Sequence, residues 1–249
     1  MATYLEVERL TVDIPIYHTS RSFRSVLANR LGGKINRQKT GQVSIRALDN
    51  ISFRVEHGDR LGLIGHNGAG KTTLLRLLAG VYKPLQGIYR FQGKITPLFN
   101  ISIGLDLDDT GIDNIFTIGT YLGMPKTEIR HKKNEIIEFS ELGDFIRLPV
   151  RTYSTGMMTR LSFAIATAIN PDILLMDEGI GAGDASFAEK AQKRLESFYS
   201  RMNILVIASH AEELIRRLCT KAILLEHGKM IACGAVEYVL ELYRTRPAG

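Results

Sequence analysis

Cysteine is scarce in this chain of 249 residues: Cys219 and Cys233 are the only two. Two thiols cannot build a disulfide framework, so the chain reads as one made for a reducing compartment. Long apolar runs are missing as well. None approaches the ~18 residues of a membrane span, and Glu6, Glu8 and Asp13 interrupt any apolar stretch near the N-terminus. These absences argue against a signal peptide and a transmembrane helix, so any membrane role is expected through a partner. Internal repeats and low-complexity tracts are also lacking. Acidic residues are absent between Ile14 and Leu48, where Arg21, Arg24, Arg30, Lys34, Arg37, Lys39 and Arg46 all fall. The whole chain carries a net charge of +6 and a pI near 9.3. That balance permits nucleic acid or anionic lipid as a partner, although a solvated basic face is the commoner outcome.

What is present is an ordinary globular composition, 45% hydrophobic and 23% charged, with ample material for a core. YLEVERLTVDI alternates as a half-exposed strand does, and SIRALDNISFRV reads as a second strand region with a turn at Asp49-Asn50. RLGLIG is a short apolar strand that runs into a glycine-rich turn and then TTLLRLLAG. In that segment Leu74, Leu75, Leu77 and Leu78 share a helical face and Gly80 supplies a stop. GIYRFQGK reads as a strand closing in a turn. From about 105 to 165 the pattern turns helical, as in KTEIRHKKNEIIEFSEL, and predicts a helical lobe inserted into an α/β core. DILLMDE and NILVIASH are continuous apolar strands of the kind buried on both faces of a parallel sheet. AILLEHGKMIACG predicts a hairpin before a last helix, AVEYVLELYR.

GHNGAGKT, Gly65 to Thr72, fits the phosphate-loop pattern G-x-x-x-x-G-K-[ST] in full, between a strand and a helix. Gly65, Gly68 and Gly70 permit the backbone angles that turn successive N–H groups toward phosphate oxygens. The helix that follows adds the positive end of its dipole. Lys71 is placed to reach the β- and γ-phosphates and the Thr72 hydroxyl to bind Mg²⁺. Asp177, at the end of ILLM, suits a carboxylate that holds Mg²⁺ through water, and Glu178 suits one that orients or deprotonates the attacking water. His210, after ILVIAS, is a candidate contact to the γ-phosphate. Ser154, Thr155 and Gly156 open the helix RLSFAIATAI with an N-cap and exposed N–H groups, which on these residues alone reads as a plain helix cap and otherwise as a second anion site.

GHNGAGKTT, YSTGMMTRLSFA, ILLMDE, GAGD and ASH, in that order, resemble the ATP-binding cassette of ABC transporters over nearly the whole chain. The resemblance implies a P-loop ATPase core with a mostly parallel sheet, an antiparallel β subdomain and an inserted helical subdomain. It implies one nucleotide-binding domain, with the core in 1–104 and 166–249, a basic insertion at 18–46 and the helical lobe at 105–165. ATP and Mg²⁺ are then the expected ligands, with His66, Asn67, Ala69 and Thr73 completing the loop. Ser154, Thr155, Gly156 and Met157 match the signature that binds ATP held by the opposite subunit, Thr155 standing where a glycine is usual. Asp184, preceded by Gly183 where a leucine is usual, matches the cross-subunit contact of the loop after the catalytic glutamate. Asn100 lies where most cassettes carry a metal-contacting glutamine, Gln92 falling too early for that role. Ile14 takes the place of the aromatic that stacks on adenine, and Tyr17 is the nearest substitute.

TGIDNI (110–115), FSELGDFI (139–146), YSTGMMTRL and DEGIGAGD (177–184) resemble more narrowly the ATPase subunits of exporters for O-antigen and other lipid-linked polysaccharides. This implies an ATPase at the cytoplasmic face of the membrane, working as a head-to-tail pair of cassettes with an integral membrane permease. Lipid-linked polysaccharide is the indirect cargo and no nucleic acid is expected. Because the chain ends soon after ELYR, it is expected to lack the C-terminal glycan-binding domain that some such subunits carry. Two other readings stand beside this one: a soluble ABC ATPase acting on ribosomes or nucleic acid, and the ATPase of an importer. The basic insertion keeps three readings: a solvated loop, a contact to anionic headgroups or lipid pyrophosphate, or a gate-facing element beneath the membrane subunit.

Overall fold

A computed structural model describes residues 3–16, 35–37, 43–99, 104–178 and 185–246. The chain divides into two compact units, Met1–Ile95 with Leu175–Glu178 and Asn203–Gly249, and Thr96–Leu174 with Gly179–Met202.

The first unit contains an antiparallel and a mainly parallel sheet. The antiparallel sheet has the order β2-β3-β1-β5, from β1 (Tyr4–Ile16), β2 (Ile35–Arg37), β3 (Val43–Glu56) and β5 (Gln86–Gln92). The burial parity of β1 changes along its length: Leu5 and Val7 are buried, then Leu10 and Val12. A register shift lies between Val7 and Leu10, where Arg9 takes φ 47° and its N–H donates to Ser52 Oγ at 2.7 Å. One extra residue there turns the strand's apolar face back onto the same core. The Asp49-Asn50 turn expected in the next segment is instead a bulge inside β3. Asn50 takes φ 55° and its N–H donates to Thr11 Oγ1, while pairing with β1 continues on both sides. Within the basic insertion, Ile35–Arg37 pairs antiparallel with Val43–Ile45. Arg46 is committed to Asp13 (2.9 Å) and Asp49 (3.6 Å), which hold its guanidinium above the ordinary value, mainly through the Asp13 hydrogen bond. Arg21, Arg24, Arg30, Lys34 and Lys39 lie outside the described residues.

β4 (Arg60–Ile64) runs parallel to both β8 (Ile204–Ala208) and β9 (Lys221–Glu226). Along the sheet the order is β10-β9-β4-β8-β7, where β7 is Ile173–Asp177 and β10 is Lys229–Ala235. All five residues of β8 are buried, as are four of the five in β4, which explains their unbroken apolar sequence. β9 and β10 form the expected hairpin through His227 (φ 46°) and Gly228 (φ 76°), a turn with two positive φ angles that suits the twist of paired strands. Helix α1 (Lys71–Leu78) buries its four leucines and stops as the sequence expects: Gly80 N–H donates to Leu77 C=O and Val81 N–H to Arg76 C=O.

After β6 (Ile95–Leu98), the second unit holds α2 (Gly111–Tyr121), α3 (Lys126–Ser140), α4 (Thr155–Ala166) and α5 (Ala185–Ser200). Phe163 and Phe187 meet edge to face at 5.8 Å, with Phe139 against both, and Ile115, Ile129 and Ile136 complete the core. TGIDNI has a physical reason at each polar position. Thr110 caps α2, its Oγ1 accepting from Asp113 N–H at 3.2 Å while the hydroxyl donates to the Asp113 carboxylate. Asn114 is fully buried, accepts from Asp106 N–H and donates to the carbonyls of Asp106 and Thr110 at 2.8–3.0 Å. One side chain thereby ties the loop before α2 to the helix itself. Asn114→Ala is expected to leave those loop groups unpaired at a cost of about 2 kcal/mol. In a thermal melt that corresponds to a loss of roughly 4–8 °C, and a loss under one degree would contradict the assigned role.

Candidate nucleotide site

Three neighbouring parallel strands end at the same edge of the sheet. β4 runs into Gly65, β7 into Asp177 and Glu178, and β8 into Ser209 and His210. The carboxyl edge of such a sheet is where open α/β folds hold ligands. The loop after β4 is pinned at both ends. Gly65 packs so tightly that an added Cβ would lie 2.3 Å from Leu225 C=O. At the other end, Gly228 N–H donates to Ala69 C=O at 3.0 Å and Gly228 C=O accepts from Asp49 N–H at 2.8 Å. A Cβ on Gly228 would lie 2.5 Å from Ala47 C=O, so the hairpin turn can back the loop only as glycine. Gly68 and Gly70 take φ 80° and 107°, and Ala69 N–H closes onto His66 C=O.

Lys71, the first residue of α1, is buried and folds back into the loop. Its ammonium donates to the carbonyls of Gly65 (2.6 Å) and His66 (3.0 Å). Burial pushes it below its ordinary value, while Glu178 and Asp177 pull it back up. The next residues, Thr72 and Thr73, are half-buried, and the Thr72 hydroxyl makes no hydrogen bond among the described residues. Glu178 adopts φ 72°, unusual for a side chain with a Cβ, and its N–H still bonds to Ala208 C=O at 2.8 Å. Its carboxylate accepts from Ser209 Oγ at 3.4 Å and lies 4.0 Å from His210 Nε2, beyond hydrogen-bond reach. Gly65–Thr73, Asp177, Glu178 and His210 thus gather in one unit.

Ser154, Thr155, Gly156 and Met157 belong to the second unit, at the start of α4. Ser154 is the N-cap, its Oγ accepting from Met157 N–H at 3.2 Å, and Ser154 and Thr155 are exposed with no acid in the first turn. Tyr153 anchors the entry by donating its hydroxyl to Phe145 C=O at 2.7 Å, and burial raises that phenol above its ordinary value. Tyr17, Asn100 and Asp184 lie outside the described residues. Gln92 closes β5 opposite Tyr4, in a sheet rather than in a loop.

Sequence reasoning passed over three residues. Ser209 stands beside His210 in ASH; buried, it accepts from Ala211 N–H at 3.1 Å and donates to Glu178. Gly228 carries a local signal, a glycine in a hairpin turn, but its support of the phosphate loop is long-range. Tyr243, in the last helix, touches His66 and has no local signal at all.

A glycine loop at a parallel-sheet edge, with a lysine in its mouth and an Asp-Glu pair two strands away, defines a P-loop nucleotide-binding ATPase. The ABC transporter family model matches residues 48–181, and the chain belongs to that family. The O-antigen export system ATP-binding protein RfbE of Yersinia enterocolitica is 46% identical over 228 residues, 91% of this chain and 95% of that one. Among solved structures, the ATP-binding subunit of an ABC transporter superposes with a TM-score of 0.68 at 19% identity, over 98% of this chain and 95% of that one. A dimeric ATP-binding cassette in a post-hydrolysis state, bound to ADP and Pi, gives 0.64 at 20% identity over 93% and 98%. Ser209→Ala is expected to loosen Glu178 and slow ATP turnover about three- to tenfold with ATP binding unchanged. Steady-state hydrolysis and an ATP titration measure the two effects, and equal turnover would remove Ser209 from the site.

Proposed function

We propose that this chain is the ATP-hydrolysing subunit of an exporter that moves a lipid-linked polysaccharide of O-antigen type across the cytoplasmic membrane. The observation that carries the reading is the 46% identity to an O-antigen export ATPase along almost the full length of both chains. Neither an importer nor an ATPase of ribosomes or nucleic acid is favoured by that relative. Among the described residues no helix is long and apolar enough to cross a membrane, so attachment is assigned to a separate permease subunit.

ATP lies along the loop Gly65–Thr73, and Lys71 exchanges its two backbone carbonyls for phosphate oxygens. The residues also suit Mg²⁺. The unpaired Thr72 hydroxyl and the half-buried Asp177 offer two oxygens, and no three His, Cys, Asp or Glu side chains cluster as a self-sufficient metal cage among the described residues. Such a sparse set fits an ion that keeps its waters and shares phosphate oxygens. When bound, Mg²⁺ neutralises charge on the β- and γ-phosphates. Glu178 orients the attacking water and takes up its proton, with Ser209 steadying the carboxylate. His210 contacts the γ-phosphate.

Ser154–Met157 present first-turn N–H groups to the ATP of a second copy, in a head-to-tail dimer that closes over two nucleotides. Asp184 serves the contact between copies, Asn100 the metal and Tyr17 the adenine in this reading. Closure and hydrolysis are passed to the permease as motion.

Glu178→Gln is expected to retain ATP binding and lose turnover by at least about a hundredfold, while Lys71→Ala loses ATP binding. Nucleotide titration beside phosphate release separates the two. The partner is tested by recovering tagged Glu178→Gln protein with ATP from native membranes in mild detergent. Co-purification of a multi-span membrane protein with a lipid-linked sugar is the expected result. Recovery of ribosomes or nucleic acid alone would preserve the ATPase and overturn the export assignment.

A further inference from the structure

Between its two pinned ends the phosphate loop has an exposed middle of His66, Asn67 and Gly68, and a Cβ on Gly68 would meet nothing within 4 Å. Besides the Lys71 ammonium on the His66 carbonyl, side-chain support for this middle comes from the last helix, α6 (Val236–Thr245). Tyr243 Oη lies 3.3 Å from His66 Nδ1, with the ring centroids 5.0 Å apart and the planes tilted by 47°. Which of the two donates depends on the imidazole tautomer.

The same helix is fastened to the segment that follows His210. Arg244, next to Tyr243, pairs with Glu212, two residues beyond His210, and Arg216 Nε bonds Glu237 at 2.9 Å. Gly65, Ser209, His210, Glu212, Leu240 and Tyr243 enclose a crevice of about 10 Å³, the room of a single water. One helix therefore grips the loop on the phosphate side and the turn that carries the candidate γ-phosphate contact.

We propose that Tyr243 is a positioning residue for ATP, holding His66 so that the exposed middle of the phosphate loop is ordered before nucleotide arrives. Its role rests on ATP occupying that loop. An unanchored loop must lose backbone and side-chain freedom on binding, and a hydrogen bond with a ring contact removes part of that loss in advance. The effect falls on nucleotide affinity, because Tyr243 acts on His66 in the phosphate loop and, among the described residues, makes no hydrogen bond to Glu178.

Steady-state ATP hydrolysis by the full chain tests this. Tyr243→Phe keeps the ring and removes the hydroxyl. Its KM for ATP is expected to rise about three- to tenfold, with kcat within about twofold and the nucleotide-free melting temperature unchanged. His66→Ala reads the same pair from the other side, and Tyr243→Phe added to it is expected to change KM no further. An unchanged KM in Tyr243→Phe overturns the proposal, as does an equal effect in both His66 backgrounds or a lowered melting temperature with KM intact. A wild-type chain that neither binds nor hydrolyses ATP overturns the reading of the loop and this inference with it. ATP turnover with KM unaffected by Tyr243→Phe overturns the inference alone.

Discussion

A buried ammonium has to be compensated, and the first unit is arranged around that requirement. Lys71 lies inside a loop of its own carbonyls, with two carboxylates two strands away raising what burial lowers. Those carbonyls can face inward only because Gly65 is pressed onto Leu225 and the Gly228 turn holds Ala69 from behind. These contacts in turn require β9 beside β4, and Glu178 requires β7 beside β8. Strand order, hairpin turn and loop geometry are thus one constraint seen at three scales. A phosphate that enters would meet a cation already desolvated, whose two bonds to the Gly65 and His66 carbonyls are there to be exchanged for phosphate oxygens.

The parts of this arrangement that depend on neighbours in sequence were legible. Continuous apolar strands, the leucine face of α1, its glycine stop and the Ser154 cap are each written in a few consecutive residues. Even the bulge in β1 leaves a trace, because Leu5 and Val7 have odd numbers while Leu10 and Val12 have even ones. The Asp49-Asn50 pair misled for a related reason. Both residue types favour turns, but β1 continues alongside and converts the local bend into a bulge within one long strand. What could not be read is what depends on distant chain. The left-handed backbone of Glu178, the hydroxyl of Ser209 between Glu178 and Ala211, and the reach of Tyr243 to His66 all follow from packing.

Strain and stability are distributed unevenly. Glu178 occupies a backbone region that costs a side-chain-bearing residue about 1 kcal/mol or more, and it is exposed. It keeps that conformation because its N–H remains locked to Ala208 at the end of a fully buried strand. The carboxylate proposed to orient the attacking water is thus a strained residue on a rigid strand end, aimed without being surrounded.

The signature helix is built on the opposite plan. Its first residues are exposed and carry no acid, so their N–H groups meet no competing negative charge. The Tyr153 hydroxyl on Phe145 C=O, and the Val150 and Arg151 N–H groups on the Asp109 and Leu107 carbonyls, hold the backbone leading into it, not burial of the helix start itself. An anion site left open to solvent yet fixed from behind suits a ligand delivered by another molecule better than one enclosed by its own chain. That is what the proposed composite nucleotide site requires. In that proposal the Lys71 loop holds its ammonium on its own carbonyls until ATP replaces them, and the Ser154 helix is complete except for the phosphate it would receive.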